Sequence, residues 1–297
     1  VSLALRESAP AKINLTLEIL GRRADGYHEL ASLVAFAQAA ADTLTLTPGP
    51  DLGLVTGGPE AVGLDGENLI SKVAAAALET NPRLRAGTFH LTKRLPVAAG
   101  IGGGSADAAA ALRLLAALNG IDDAERTFSD LAAPLGADIP VCLGGGGQRA
   151  AYMSGIGQKV WRPAGRGLLP EAGVAAVLVN PRVAVPTGKV FQALDARPID
   201  PSRAAPPIPS PFADTNELIG YLRDHRNDLE APARRIAPVI GAVLDALGDL
   251  PNALAARMSG SGATCLALFD DTECAAVAAD IIASSHPNWW VVPTSFH

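Results

Sequence analysis

Three cysteines, two methionines and a 4% share of aromatic residues leave this 297-residue chain short of special-purpose side chains. Cys142, Cys265 and Cys274 form no CxxC pair and are odd in number, which reads as reduced thiols, buried rather than reactive. The five histidines fall in no HExxH or similar spacing, so neither a structural nor a catalytic zinc is expected. Charge is also scarce, at 18% of residues with a net −6, which argues against a nucleic-acid partner. No apolar run approaches the ~18 residues that a bilayer span needs, so no membrane partner is expected. The opening stretch VSLALRESAPAKINL meets charge within six residues and lacks the apolar core of a secretion signal. The expectation is a soluble cytoplasmic protein.

What the chain has in quantity is alanine, glycine and aliphatic residues, 48% hydrophobic in all, enough for two domains of ordinary size. Lys12 to Leu20 alternates polar and apolar and predicts a half-buried strand, with Ile13, Leu15, Leu17 and Ile19 inward and Lys12, Asn14, Thr16 and Glu18 sharing the other face. An Asp25-Gly26 turn follows. Thr43–Thr47 and Thr88–Leu95 also alternate, and Asn68–Glu79 is helical in pattern. The clearest helix is Ser105–Asn119, with Ser105 as N-cap, Asp107 in the first turn and Gly120 as the stop. A further helix covers Ala124–Leu135, and Pro140 biases Ile139 away from helix, which leaves Asp138 in a bend. Glycines cluster again at 144–147. Val174–Val179, Thr264–Phe269 and Asn288–Val292 read as strands, Ile236–Leu247 as an amphipathic helix, and the six prolines between Arg197 and Pro211 as a loop. Strands and helices mix without strict alternation, so the fold class is α+β.

The bare loop PVAAGIGGGSADAAA at residues 96–110 is the most informative stretch. Few side chains let a ligand approach the main chain, and a following helix N-terminus offers unpaired amides and a favourable dipole to an anion. A polyphosphate cradle and a plain strand-to-helix turn both fit that composition. The common nucleotide motifs fail. Gly188-Lys189 is followed by Val190 and has Val183 where GxxxxGK[ST] needs glycine, and GxGxxG starting at Gly102 meets Asp107.

The wider pattern closely resembles the GHMP family of small-molecule kinases. PAKINL at 10–15, the 96–109 loop and MSGSGAT at 258–264 resemble that family's three motifs, in order. GRRADGYHEL, GENLI, KRLPVAAGIGGGSADAA, LGADIPV, VPTGKVF and NDLE extend the likeness from about residue 10 to about residue 269. The resemblance implies a two-domain architecture, an N-terminal ATP-binding domain over 1–165 and a C-terminal substrate domain over 166–297, with a cleft between. It implies an ATP-dependent kinase that phosphorylates a hydroxyl of a small cytidyl diphosphate alcohol, with ATP as co-substrate and Mg²⁺, acting as a monomer or homodimer. Other readings are a relative acting on homoserine, mevalonate or a sugar, or a nucleotide-binding relative without catalysis.

The same resemblance implies the residues. Asp138 is the base and Lys12 its partner beside the reacting hydroxyl. Pro96, Val97, Ala98, Ala99, Gly100, Ile101, Gly102, Gly103, Gly104, Ser105 and Ala106 form the ATP loop, with Asn68 and Lys93 on the ATP side. Asn14, Tyr27, His28, Thr187 and Phe191 contact the acceptor, Tyr27 and Phe191 stacking on its base and His28 bonding the base edge. On residue chemistry alone, Lys12 also fits a solvated strand lysine, Asp138 a turn aspartate, and the aromatics ordinary packing. Ala106 stands where many family members carry a second serine, so no side chain is assigned to the metal, which is left mainly to phosphate oxygens and water.

Overall fold

The computed structural model describes residues 4–61, 64, 68–144, 149–200 and 206–297. Part of the 144–147 glycine cluster, Gly66 and Glu67 of GENLI, and part of the proline-rich loop lie outside the described residues. The elements in chain order are β1 (Leu5–Asn14), β2 (Glu18–Arg22), β3 (His28–Gly49), β4 (Gly53–Gly57), α1 (Leu69–Thr80), β5 (Ala86–Thr92), α2 (Gly103–Leu118), α3 (Ala124–Ala132), α4 (Ile139–Leu143), β6 (Ala151–Gly155), β7 (Lys159–Trp161), β8 (Val174–Asn180), α5 (Thr187–Leu194), α6 (Thr215–Asp224), α7 (Glu230–Ile236), α8 (Val239–Gly248), β9 (Ala255–Met258), β10 (Cys265–Phe269), α9 (Thr272–Ser285) and β11 (Trp290–Phe296). The mixture of helices and sheets is the α+β class read from the sequence. Among the described residues no helix is long and apolar enough to cross a membrane.

Two compact units interleave along the chain. One comprises Val1–Ala11, Ala40–Val97 and Gly102–Gln148; the other comprises Lys12–Ala39, Ala98–Ile101 and Arg149–His297. In the first unit β5 pairs antiparallel with the C-terminal part of β3 (Thr43 opposite Thr92) and parallel with β4. Helix α2 packs against α1 and α4. Its residues 106–112 are all buried, alanines with Asp107 and Leu112 among them, so it is an interior helix rather than an amphipathic one. The Arg113 guanidinium ties α2 to its surroundings, donating to the carbonyls of Cys142 (2.8 Å) and Ser8 (3.1 Å) and to Glu7 Oε2 (3.1 Å).

In the second unit the N-terminal part of β3 pairs with β2 and β6, and β6 with β7. A separate antiparallel sheet runs β11-β8-β10-β9. Strand β8, VAAVLVN, is buried at every position because it is central in that sheet. Cys265, Ala267 and Phe269 of β10 share a core with Ile240 and Val243 of α8 and Ala275 and Ala278 of α9.

Several local expectations shift. The strand at 12–20 is neither continuous nor half exposed. β1 stops at Asn14, and the amides of Leu15 and Thr16 both donate to the Leu33 carbonyl, after which Leu17 N turns to the Arg226 carbonyl. Lys12, Asn14 and Thr16 are all buried, so the polar face meets protein rather than water. Helix α2 begins two residues before Ser105: Gly102, at φ +61°, is its N-cap, and Ser105 lies within the helix. Pro140 sits inside the first turn of α4, where its missing N–H is no loss, so Asp138 caps a helix rather than occupying a bend. The helix read over 236–247 begins only at Val239, as α8, because Ile236 closes α7 and the chain restarts after Pro238.

Replacing Arg113 with methionine keeps the apolar stem and strands two backbone acceptors. We expect a loss of about 1–3 kcal/mol, read as a lower urea midpoint at unchanged slope.

Candidate active site

The glycine loop divides between the units: residues 98–101 belong to the second and Gly102 onward to the first. In the first unit, Gly102, Gly103 and Gly104 present the opening amides of α2. A Cβ on Gly104 would touch Leu69 Cδ1 at 3.6 Å, which places the start of α1 beside the start of α2. Asn68, assigned to the ATP side, caps α1, its carboxamide oxygen accepting from Ile70 N at 2.9 Å. Ser105 Oγ lies 3.9 Å from where a Cβ on Gly136 would stand, two residues before Asp138. The structure thus brings Asn68, the helix N-terminus and the segment leading to Asp138 together. Asp138 itself is partly buried at the head of α4.

Lys93 is buried beside the same helix start, its Nζ 3.1 Å from a Cβ built on Gly103. It donates to Asp42 Oδ2 (2.5 Å) and to Asp107 Oδ2 (2.6 Å), both also buried. Asp42 Oδ1 accepts from the amides of Arg94 and Leu95, whereas Asp107 Oδ1 is buried without a hydrogen-bond partner. Two carboxylates around one ammonium leave one negative charge too many in a dry place. Burial, reinforced by Asp42 and only partly offset by Lys93, pushes the Asp107 carboxyl up to about 7. Burial works against the Lys93 ammonium, but Asp107 and Asp42 outweigh it and its pKa is raised. Sequence reasoning missed Asp42 and gave Asp107 only a first-turn role. The signal was present: continuing TLTLT backwards puts Asp42 on the inward face with Leu44 and Leu46.

In the second unit, Lys12 Nζ donates to Asn14 Oδ1 at 3.0 Å, and Asn14 Nδ2 donates to Ser32 Oγ at 2.8 Å. Asn14 N donates to Ser259 Oγ (3.1 Å), whose hydroxyl donates to the Gly100 carbonyl (3.2 Å). Lys12 N donates to the Ile101 carbonyl at 2.9 Å. Lys12, Asn14, the SGSG loop and residues 99–101 of the glycine loop are therefore one hydrogen-bonded assembly. Pro96 and Ile101 are buried and Val97 is exposed, while Ala98 adopts φ +53° and Ala106 is buried within α2. Thr187, at the start of α5, shares a hydrogen bond with Ser261 of the SGSG loop (2.8 Å).

A pocket of 590 Å³ in the same unit is lined by Arg22, Tyr27, His28, Leu30, Ile156, Phe191, Gln192 and Asp195. The His28 and Phe191 rings pack at 4.9 Å and 33°, and Tyr27 is 61% exposed at the rim. Burial, with Arg22 nearby, lowers the His28 pKa, so its imidazole is neutral at neutral pH and can both donate and accept. Arg22, Gln192 and Asp195 add polar groups that the sequence did not single out.

Because Asp107 keeps its proton to a higher pH when folded than the ordinary ~3.9, the folded state binds more protons between about pH 4 and about pH 7. Stability from this group is full below that window and is lost as pH rises through it. Asp107→Asn removes the titration, and we expect its melting temperature, relative to the parent, to rise by several degrees from about pH 5 to about pH 8.

The pattern of the GHMP kinases N terminal domain matches residues 68–146, and that of the GHMP kinases C terminal domain matches residues 213–288. The 4-diphosphocytidyl-2-C-methyl-D-erythritol kinase of Methylobacterium radiotolerans is 51% identical, over 98% of this chain and 98% of its own. The protein of that name from Bradyrhizobium sp. (strain ORS 278) is 48% identical, over 98% and 96%. A crystal structure of 4-(cytidine 5'-diphospho)-2C-methyl-D-erythritol kinase superposes with a TM-score of 0.73 at 32% identity, covering 98% of this chain and 99% of that one. Homoserine kinase from Cytophaga hutchinsonii shares the fold at 16% identity, with a TM-score of 0.69. The chain belongs to the GHMP kinases, ATP-dependent phosphotransferases, and within them to the family of the 4-diphosphocytidyl-2-C-methyl-D-erythritol kinases.

Proposed function

We propose that the protein transfers the γ-phosphoryl group of ATP to the 2-hydroxyl of 4-diphosphocytidyl-2-C-methyl-D-erythritol, in non-mevalonate isoprenoid precursor synthesis. The observation that carries this reading is the pocket where His28 packs against Phe191. It has an aromatic wall for a base and a neutral imidazole matched to the mixed donor and acceptor edge of cytosine. Homoserine and mevalonate have no ring to place there, so the pocket favours a cytidyl acceptor over those alternatives.

The α2 amides, following Gly102–Gly104, bind the triphosphate, and Lys93 and Asn68 lie on the nucleotide's side of the site. Asp138 takes the proton of the acceptor hydroxyl, and the Lys12 ammonium, steadied by Asn14, stabilises the charge that develops during transfer. Asn14 also contacts the acceptor, as do Tyr27 and Thr187. Among the described residues no three histidine, cysteine or acidic side chains converge as a metal site. The Ser105 hydroxyl, in the first turn of α2, fits a hard cation that completes its shell with phosphate oxygens and water. Mg²⁺ would there neutralise phosphate charge.

Offering candidate alcohols singly and following ADP release tests the substrate: turnover with the cytidyl diphosphate alcohol and none with homoserine or mevalonate is expected. Asp138→Asn should lower kcat by about 10²–10⁴-fold while ATP still binds; near-normal turnover would remove it as the base. Phe191→Ala should raise the KM for the acceptor by about 5- to 100-fold, the equivalent of about 1–3 kcal/mol of stacking, and leave the KM for ATP unchanged.

A further inference from the structure

We propose that Ser32 is a positioning residue for phosphoryl transfer, fixing the orientation of the Asn14 carboxamide and, through it, the Lys12 ammonium. The inference rests on the proposed roles of Lys12 and Asn14. It comes from counting protons along the chain of hydrogen bonds from the Thr16 carbonyl to Lys12. Ser32 Oγ lies 2.5 Å from the carbonyl oxygen of Thr16, an acceptor only, so the single hydroxyl proton is committed there. What Ser32 has left for Asn14 is a lone pair. The atom 2.8 Å away must then be the donor Nδ2, and Oδ1 necessarily faces the other way. On that side Lys12 Nζ, which can only donate, stands 3.0 Å from Oδ1. Each end of the chain independently demands the same carboxamide orientation.

The set is sealed from water. Ser32 is fully buried, and Asn14 and Lys12 are buried with it. Its anchor is firm, because the Thr16 carbonyl belongs to the segment where Leu15 N and Thr16 N share the Leu33 oxygen and Leu33 N returns a bond to Thr16 Oγ1 at 2.9 Å. Asn14 is held separately by its backbone amide on Ser259, so its main chain keeps its place when Ser32 is altered. Without the Ser32 oxygen, nothing on this side prefers nitrogen to oxygen. A flipped carboxamide would aim its NH₂ at the ammonium and push Lys12 off its station. Lys12 and Asn14 carry the chemistry; Ser32 touches no reactant.

The test is a double-mutant cycle on the full chain, with kcat and both KM values measured and thermal melts confirming folding. Asn14→Ala should lower kcat, and if it does not, the reading of Lys12 and Asn14 fails before Ser32 is at issue. With that established, Ser32→Ala should lower kcat about tenfold, leave the KM for ATP unchanged, and have little further effect in the Asn14→Ala background. Ser32→Thr, which keeps the hydroxyl, should recover most of the loss. Should Ser32→Ala fold poorly, Ser32→Cys preserves the shape with a weak donor and acceptor and should show the same kcat defect. Unchanged kcat in Ser32→Ala or Ser32→Cys, or losses that multiply fully with Asn14→Ala, would overturn the proposal.

Discussion

A Cβ added to Gly100 would stand 2.5 Å from the carbonyl oxygen of Gly262, and one on Gly260 would stand 2.5 Å from the carbonyl of Gly100. Both residues also have positive φ, +73° and +56°. The two bare loops therefore meet main chain to main chain, and neither can carry a side chain at the contact. That closeness lets Ser259 reach the Gly100 carbonyl and lets Thr264 donate to Ala99 O from both its hydroxyl (2.7 Å) and its amide. With Lys12 N on the Ile101 carbonyl, three successive loop carbonyls are engaged by protein donors. In a planar trans peptide the N–H points opposite to the C=O, so the amides of residues 100–102 are turned away from those contacts. The loop thus has its acceptors pulled inward and its donors presented, as the proposed phosphate cradle requires.

The same packing explains why Lys12 and Asn14, in a stretch that reads as half exposed, are buried. Period-two alternation reports which residues share a face, and it grouped Lys12 with Asn14 correctly. It cannot report what covers that face. The cover comes from Ser32, 18 residues on from Asn14, and from Ser259, 245 residues on. Asp42 is the counter-example, because its alternation with Leu44 and Leu46 was readable and a carboxylate in core register demands a buried cation.

Most strands and helices were legible because each is written in a short window: TLTLT for β3, the alanine run for α2, the apolar run for β8. The 22-residue length of β3 was not, since Leu33–Ala37 is apolar at every position and has no period to read. Helix starts slipped for a local reason. Ser105 is a good N-cap by type, but Gly102 in the left-handed region opens the helix earlier and leaves bare amides where a serine cap would have filled one. Of the pocket proposed for the base, the aromatics His28 and Phe191 were singled out in the sequence, and Arg22, Gln192 and Asp195, which the fold brings to it, were not.

Buried charge is where stability and chemistry part. The chain has few charged residues, yet it places Lys93, Asp42 and Asp107 in its interior, with one Asp107 oxygen unsatisfied. A triad of this kind can be replaced in many proteins by well-packed apolar residues without loss of stability, because desolvation cancels much of the Coulomb attraction. Folding alone thus gives no reason to keep it. Its location offers one, for the Lys93 ammonium is held against the first turn of α2, beside the amides proposed to bind the triphosphate. Two carboxylates keep that lysine charged and pointed in a dry setting, and the raised Asp107 pKa is the electrostatic strain left over. On the other unit, the Lys12 ammonium donates to the neutral carboxamide of Asn14. A hydrogen bond to a neutral amide orients an ammonium without itself cancelling charge, which suits the role proposed for Lys12.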